Sequence, residues 1–172
     1  MPRLQAMAIN RGVISRTQEK VRGPMLKLYE LLRLNRVMNE LELYAWLKWH
    51  LLEDLKRSDF QYETYDCVSE SKGIYLELKC RKTHYDKLII EKAKFDAIRQ
   101  KAWEYGYKAW YVNSTPKGIW AFNITDIEGL EWVSRALPKT TEFNNTENVE
   151  KIVGYLNINR GVQLNATRHE VQ

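Results

Sequence analysis

The most regular stretch of the chain is Ile74-Tyr-Leu-Glu-Leu-Lys-Cys80. Ile74, Leu76, Leu78 and Cys80 alternate there with Tyr75, Glu77 and Lys79. A period of two with this content predicts a half-buried strand. The preceding run Gln61-Tyr-Glu-Thr-Tyr-Asp-Cys-Val68, rich in Tyr and Thr, predicts a second one. Between them Glu70-Ser-Lys-Gly73 supplies the residues of a tight turn. A hairpin closed there pairs Ser69 with Ile74, Cys67 with Leu76, and Asp66 with Glu77. Directly opposite residues share a face of the sheet.

Helical spacing appears on both sides of this hairpin. After Gly23-Pro24, the positions Met25, Leu28, Leu31 and Leu32 predict a helix running to about Arg36. Asn39 is placed to cap a second helix, with Glu42 three positions on as in a capping box. Leu41, Leu43, Tyr44, Leu47, Leu51 and Leu55 carry that helix to about Lys56. Leu88, Ile89, Phe95, Ile98 and Ala102 predict a long helix over about 86–105, stopped by Gly106. Strands are expected over 108–113 and 119–124, joined by a Ser-Thr-Pro-Lys-Gly turn. Residues 128–135 are expected to be helical or irregular up to Pro138, and 149–156 to form a last short helix. The order α-β-β-α-β-β implies an α/β fold with one mixed sheet and helices packed on it. Residues 1–36 then form a basic extension and first helix, 37–137 the core, and 138–172 a C-terminal helix and tail.

At 172 residues the protein suits one domain with an appendage. No run of about 18 apolar residues marks a membrane span. The first residues lack the apolar stretch of a secretory signal. Cys67 and Cys80 fall too far apart in the hairpin to bridge, and two cysteines make no zinc pattern. Both are expected to be small core residues of a reducing cytoplasm.

Charge is distributed unevenly. The net charge is +5; residues 1–36 hold eight Lys or Arg against Glu19 and Glu30, a net +6 that leaves −1 for the rest. Such an arm suits nucleic acid or an acidic partner surface. An ordinary solvated arm has the same composition.

The chemistry centres on the hairpin. Asp66 and Glu77, opposite each other on one face, repel and destabilise a bare hairpin. A Mg²⁺ or Mn²⁺ ion held by their oxygens would remove that penalty. Lys79 lies one step further along the same face. The plain alternative is a solvated strand with unrelated charges.

An Asp followed eleven residues later by Glu-Leu-Lys on an adjacent strand, with helices before and after, resembles the PD-(D/E)xK nuclease superfamily. The resemblance covers roughly residues 39–124, with Tyr65 where the family motif has Pro. It implies a restriction-endonuclease-like mixed-sheet core and metal-dependent hydrolysis of DNA phosphodiesters by Asp66, Glu77 and Lys79. It implies metal ligation by Asp66, Glu77 and the backbone carbonyl of Leu78, with Glu42 or Glu40 as the acid of the first helix. Lys79 would orient or deprotonate the attacking water. A basic or amide residue from the following helix would touch the scissile phosphate. Lys92 is the first choice and Lys94 or Gln100 the alternatives. Glu42 has a second reading as a helix cap, and Lys92 as part of a solvated face.

Arg81, Lys82 and His84, directly after the motif strand, are candidates for phosphate contacts. A lone His is more often structural, and His50 and the six Trp are expected to pack in the core. Two other functions fit the same residues: an assembly subunit, as in a phage particle, that forms a homo-oligomer through its basic arm, and a DNA-binding module without catalysis.

Overall fold

The computed structural model describes residues 37–59, 63–139 and 147–164. The expected arm, the helix over 25–36 and the tail beyond 164 lie outside them.

The first described helix, α1 (Glu40–His50), begins at Asn39. Asn39 Oδ1 accepts the Glu42 N–H, and the Glu42 carboxylate accepts the Asn39 N–H, both at 2.9 Å. The capping box is therefore present, and Glu42 is part of it. The helix ends at Leu51, earlier than its apolar spacing suggested, and Leu41 and Leu51 are exposed. Leu55 is fully buried just before a two-residue strand, β1 (Lys56–Arg57).

The hairpin is β2 (Cys67–Ser69) and β3 (Ile74–Cys80), with Cys67 opposite Leu76 and Ser69 opposite Ile74 as the alternation predicts. Gly73 closes the turn with φ at +60°, a conformation that favours glycine. After β4 (Lys87–Glu91) and α2 (Lys92–Glu104), β5 (Lys108–Thr115) runs parallel to β3, with Glu77 beside Tyr111 and Lys79 beside Asn113. Next comes β6 (Gly118–Asn123), antiparallel to β5. Then follow β7 (Trp132–Pro138), β8 (Asn148–Asn157), one 3₁₀ turn (Ile158–Arg160) and β9 (Val162–Leu164). Two sheets result: a mixed one in the order β1-β2-β3-β5-β6-β9, and an antiparallel one in the order β4-β8-β7.

The class is α/β with a mixed sheet, as expected. The second sheet was not. Residues 87–91, expected at the start of a long helix, are a strand, and so are 132–138 and 148–157. Val149, Ile152, Val153 and Leu156 have helical spacing, but their β-branched content suits a strand. Pairing with both β4 and β7 decides the outcome. Pro138 ends β7 on a sheet edge, where its missing N–H costs no ladder bond.

β3 is covered on both faces. Tyr75, Tyr111 and Phe122 pack with Phe95, Ile98 and Ala102 of α2 and with Leu88, Ile90 and Leu156 of the second sheet. Leu76, Leu78 and Val112 are buried on the opposite face by strand alternation, the side from which α1 meets β3. Cys67 and Cys80 are free thiols, and burial pushes each up to about 12.

Candidate metal and phosphate site

Asp66 sits where the first sheet loses its regularity. In an extended strand a residue's N–H and C=O address the same neighbour. At Asp66 the N–H donates to Leu76 O on β3, and the C=O accepts from Ser58 N just past β1, both at 2.9 Å. The turn acts as a bulge does and re-aims the side chain. The expected direct pairing of Asp66 with Glu77 is not formed, because the β2–β3 ladder ends at Cys67 and Leu76. Asp66 Oδ2 instead accepts the backbone N–H of Leu78 at 2.7 Å. Leu78 is extended, so its C=O opens to the same side as that N–H, beyond the end of β2.

Glu77 is one residue away and nearly buried, its side chain 9% exposed. Burial, with the nearby Asp66 charge adding to it, pushes its carboxyl up to about 7 against the opposing pull of Lys94 and Lys79. Lys94 of α2 reaches it from solvent, with Nζ 3.3 Å from Oε1 and 3.4 Å from Oε2. The same lysine lines a cavity of about 210 Å³ together with Asp66 and Leu78. Four carboxylates border that cavity, from Glu40, Asp59, Glu63 and Asp66, against Arg57 and Lys94. A field of that sign attracts cations and repels an anionic substrate until a cation is bound.

Among the described residues, no three His, Cys, Asp or Glu side chains gather closely enough to enclose a metal ion. A Mg²⁺ ion does not require that, because it keeps several waters and takes one or two carboxylates plus substrate oxygens. Asp66, Glu77 and the Leu78 carbonyl are hard oxygen donors of the type such an ion takes. The Asp66 charge that raises the cost of ionising Glu77 would be offset by the same ligand.

Lys79 is half-buried and makes no hydrogen bond or ion pair among the described residues. Of the helix candidates, the structure brings Lys94 to the carboxylates. Lys92 pairs with Asp96 and lies over the Trp132 ring at 5.4 Å. Gln100 donates to Glu104 at 3.1 Å. Of the two acids at the start of α1, Glu40 borders the cavity and Glu42 caps the helix. Arg81 turns inward: its guanidinium donates to Asn113 Oδ1, Tyr111 Oη and Ile89 O. Lys82 is exposed. His84 Nδ1 lies 3.0 Å from Thr115 Oγ1. That hydroxyl already donates to Gly118 O, so it accepts from His84. His50 lies against Trp46 with ring centroids 5.0 Å apart and planes tilted by 43°, while Trp49 and Trp103 are exposed rather than core.

The cavity wall formed by Arg57, Asp59, Glu63 and Tyr65 was not singled out in the sequence. Only the position of these residues just before Asp66 hinted at it. Searches of family models, of curated proteins and of solved structures give no match to this protein.

Proposed function

We propose that the protein is a metal-dependent hydrolase of DNA phosphodiesters, with a restriction-endonuclease-like core and its site at Asp66, Glu77 and Lys79. The observation that carries the reading is the Asp66 carboxylate held on the Leu78 N–H beside a buried Glu77. The hydrogen bond thus keeps the Asp66 carboxylate beside the residue that follows Glu77, and Asp66 lines an acidic cavity together with Lys94, the partner of Glu77.

Asp66, Glu77 and the Leu78 carbonyl would hold a Mg²⁺ or Mn²⁺ ion. Such an ion lowers the pKa of a bound water and neutralises charge on phosphate oxygens. The protein's own part is to orient and to compensate charge. Asp66 is fixed through one oxygen, and the other has no hydrogen-bond partner among the described residues. Glu77 must lose its proton to serve as a ligand, and its setting places that event near neutral pH. Lys79, on the Glu77 face and without a partner of its own among the described residues, is available to a water or to a phosphate oxygen. Lys94, on the cavity wall, supplies a second amine to the substrate.

The test is cleavage of a labelled DNA with and without Mg²⁺. Wild type should cut only with the ion, and Glu77→Ala and Lys79→Ala should lose cutting while keeping the wild-type circular dichroism spectrum. Cutting that survives both substitutions, or that needs no divalent ion, removes the proposal. The basic arm over 1–36, expected to meet DNA or a neighbouring copy, lies outside the described residues. Among the described residues, no helix is long and apolar enough to cross a membrane.

A further inference from the structure

The contact between Lys94 and Glu77 has an unusual shape. The ammonium stands at nearly equal distance from both carboxylate oxygens, 3.3 Å and 3.4 Å. A directed N–H···O⁻ bond is shorter and favours one oxygen. The contact is therefore one of charge more than of hydrogen bonding, and it places a cation astride the Glu77 carboxylate.

The two partners differ in how firmly they are held. Glu77 lies on the central strand β3, with β5 on one side and a side chain only 9% exposed. Lys94 comes from the first turn of α2 and is 47% exposed. Its four-carbon stem can swing the charge into water at small cost. The wall it lines also carries Asp66 and Leu78, the other two donors of the proposed ion site.

Resting on the reading above, we infer that Lys94 is the built-in counter-ion of the proposed ion site, and that its ammonium and a divalent cation compete for the Glu77 carboxylate. In the metal-free protein Lys94 offsets the charge on Glu77. When an ion binds, Lys94 is displaced to the cavity rim, where the phosphate of an incoming strand becomes its partner. One amine thereby serves two states, and the anionic substrate is drawn in only after the ion has taken Lys94's place.

Manganese itself is the probe. Mn²⁺ binding is measured by electron paramagnetic resonance at pH 8.5, with no nucleic acid present, for wild type, Lys94→Met and Lys94→Arg. Losing a half-exposed opposing charge should tighten Mn²⁺ binding about fivefold in Lys94→Met. Lys94→Arg, which keeps the charge, should stay within about twofold of wild type. If Lys94→Met binds Mn²⁺ no more tightly than wild type, competition is overturned while the carboxylate site stands. If none of the three proteins binds Mn²⁺, the ion site itself is overturned and the inference with it.

Discussion

Asp66 Oδ2 accepts the Leu78 N–H at 2.7 Å, so a side chain supplies the bond that a longer β2 would have given to β3. The carboxylate is thus both a structural cap on β3 and a proposed metal ligand, and substitution separates the two roles. Asp66→Asn keeps an oxygen acceptor, whereas Asp66→Ala leaves the N–H unpaired. The alanine should cost about 1–3 kcal/mol, lowering Tm by several degrees, and the asparagine clearly less. Both should lose Mn²⁺ binding and DNA cleavage. Thermal melts of the pair decide it: an alanine variant as stable as wild type would show that the hydrogen bond contributes nothing.

Glu77 ties stability to pH. Its carboxyl, ordinarily near 4.5, is pushed up to about 7 in the folded protein, first by burial and then by Asp66. The folded state holds the proton more tightly than the unfolded state does. Its contribution is therefore complete below about pH 4.5 and is lost as pH rises through 7. Glu77→Gln, neutral throughout, should gain about 2–3 kcal/mol relative to wild type between pH 4.5 and 8 without divalent ions. At pH 8, Mn²⁺ should restore wild type and leave Glu77→Gln unchanged. Denaturant unfolding of both proteins at the two pH values measures this; parallel stabilities at both would contradict it.

The hairpin register was legible because strict alternation allows only one face to each residue, and Ile74 to Cys80 alternate without a break. The deviation at Asp66 was not, since no local residue type announces a turn of the backbone there. The alternation reads the two acids as a ladder pair, whereas in the structure Asp66 reaches the N–H of Leu78, the residue after Glu77, instead of standing opposite Glu77. Lys92 and Lys94 looked alike in sequence, and only the start of α2 at Lys92, fixed by β4 before it, aims Lys94 at Glu77. The second sheet stayed hidden because Val149, Ile152, Val153 and Leu156 fit a helical period as well as a strand's composition. One partner, β7, directly precedes β8, but the other, β4, lies far away in sequence.

Arg81 joins the two sheets. It follows β3, and its guanidinium donates to Asn113 Oδ1 at 2.8 Å and Tyr111 Oη at 2.9 Å on β5, and to Ile89 O on β4. Tyr111 Oη itself donates to Ile89 O at 3.0 Å. Arg81→Ala strips two acceptors of their donor inside the fold and should cost about 2–4 kcal/mol. Lys82→Ala, on an exposed side chain, should leave stability within about 0.5 kcal/mol. If Lys82 meets phosphates, its loss should also reduce the salt dependence of DNA affinity. Denaturant unfolding checks the first pair of values and salt titration the last; an Arg81→Ala protein of wild-type stability would show that the bridge between the sheets is not needed.

Gly161 shows how closely β9 is seated. Its φ of −98° is open to any residue, so backbone strain is not the reason for glycine. A Cβ there would lie 2.7 Å from Cε1 and 2.8 Å from Cζ of Phe122, a fully buried ring on β6. Since β9 pairs with β6 from Val162 to Leu164, the strand has to lift or the ring has to turn in a packed core. Gly161→Ala should therefore destabilise by about 1–3 kcal/mol. If the ring is the obstacle, Phe122→Leu removes the edge that the new methyl meets. The two changes together should then cost about 1 kcal/mol less than the sum of each alone. Additive losses in a double-mutant cycle would show that the glycine is required for some other reason than this contact.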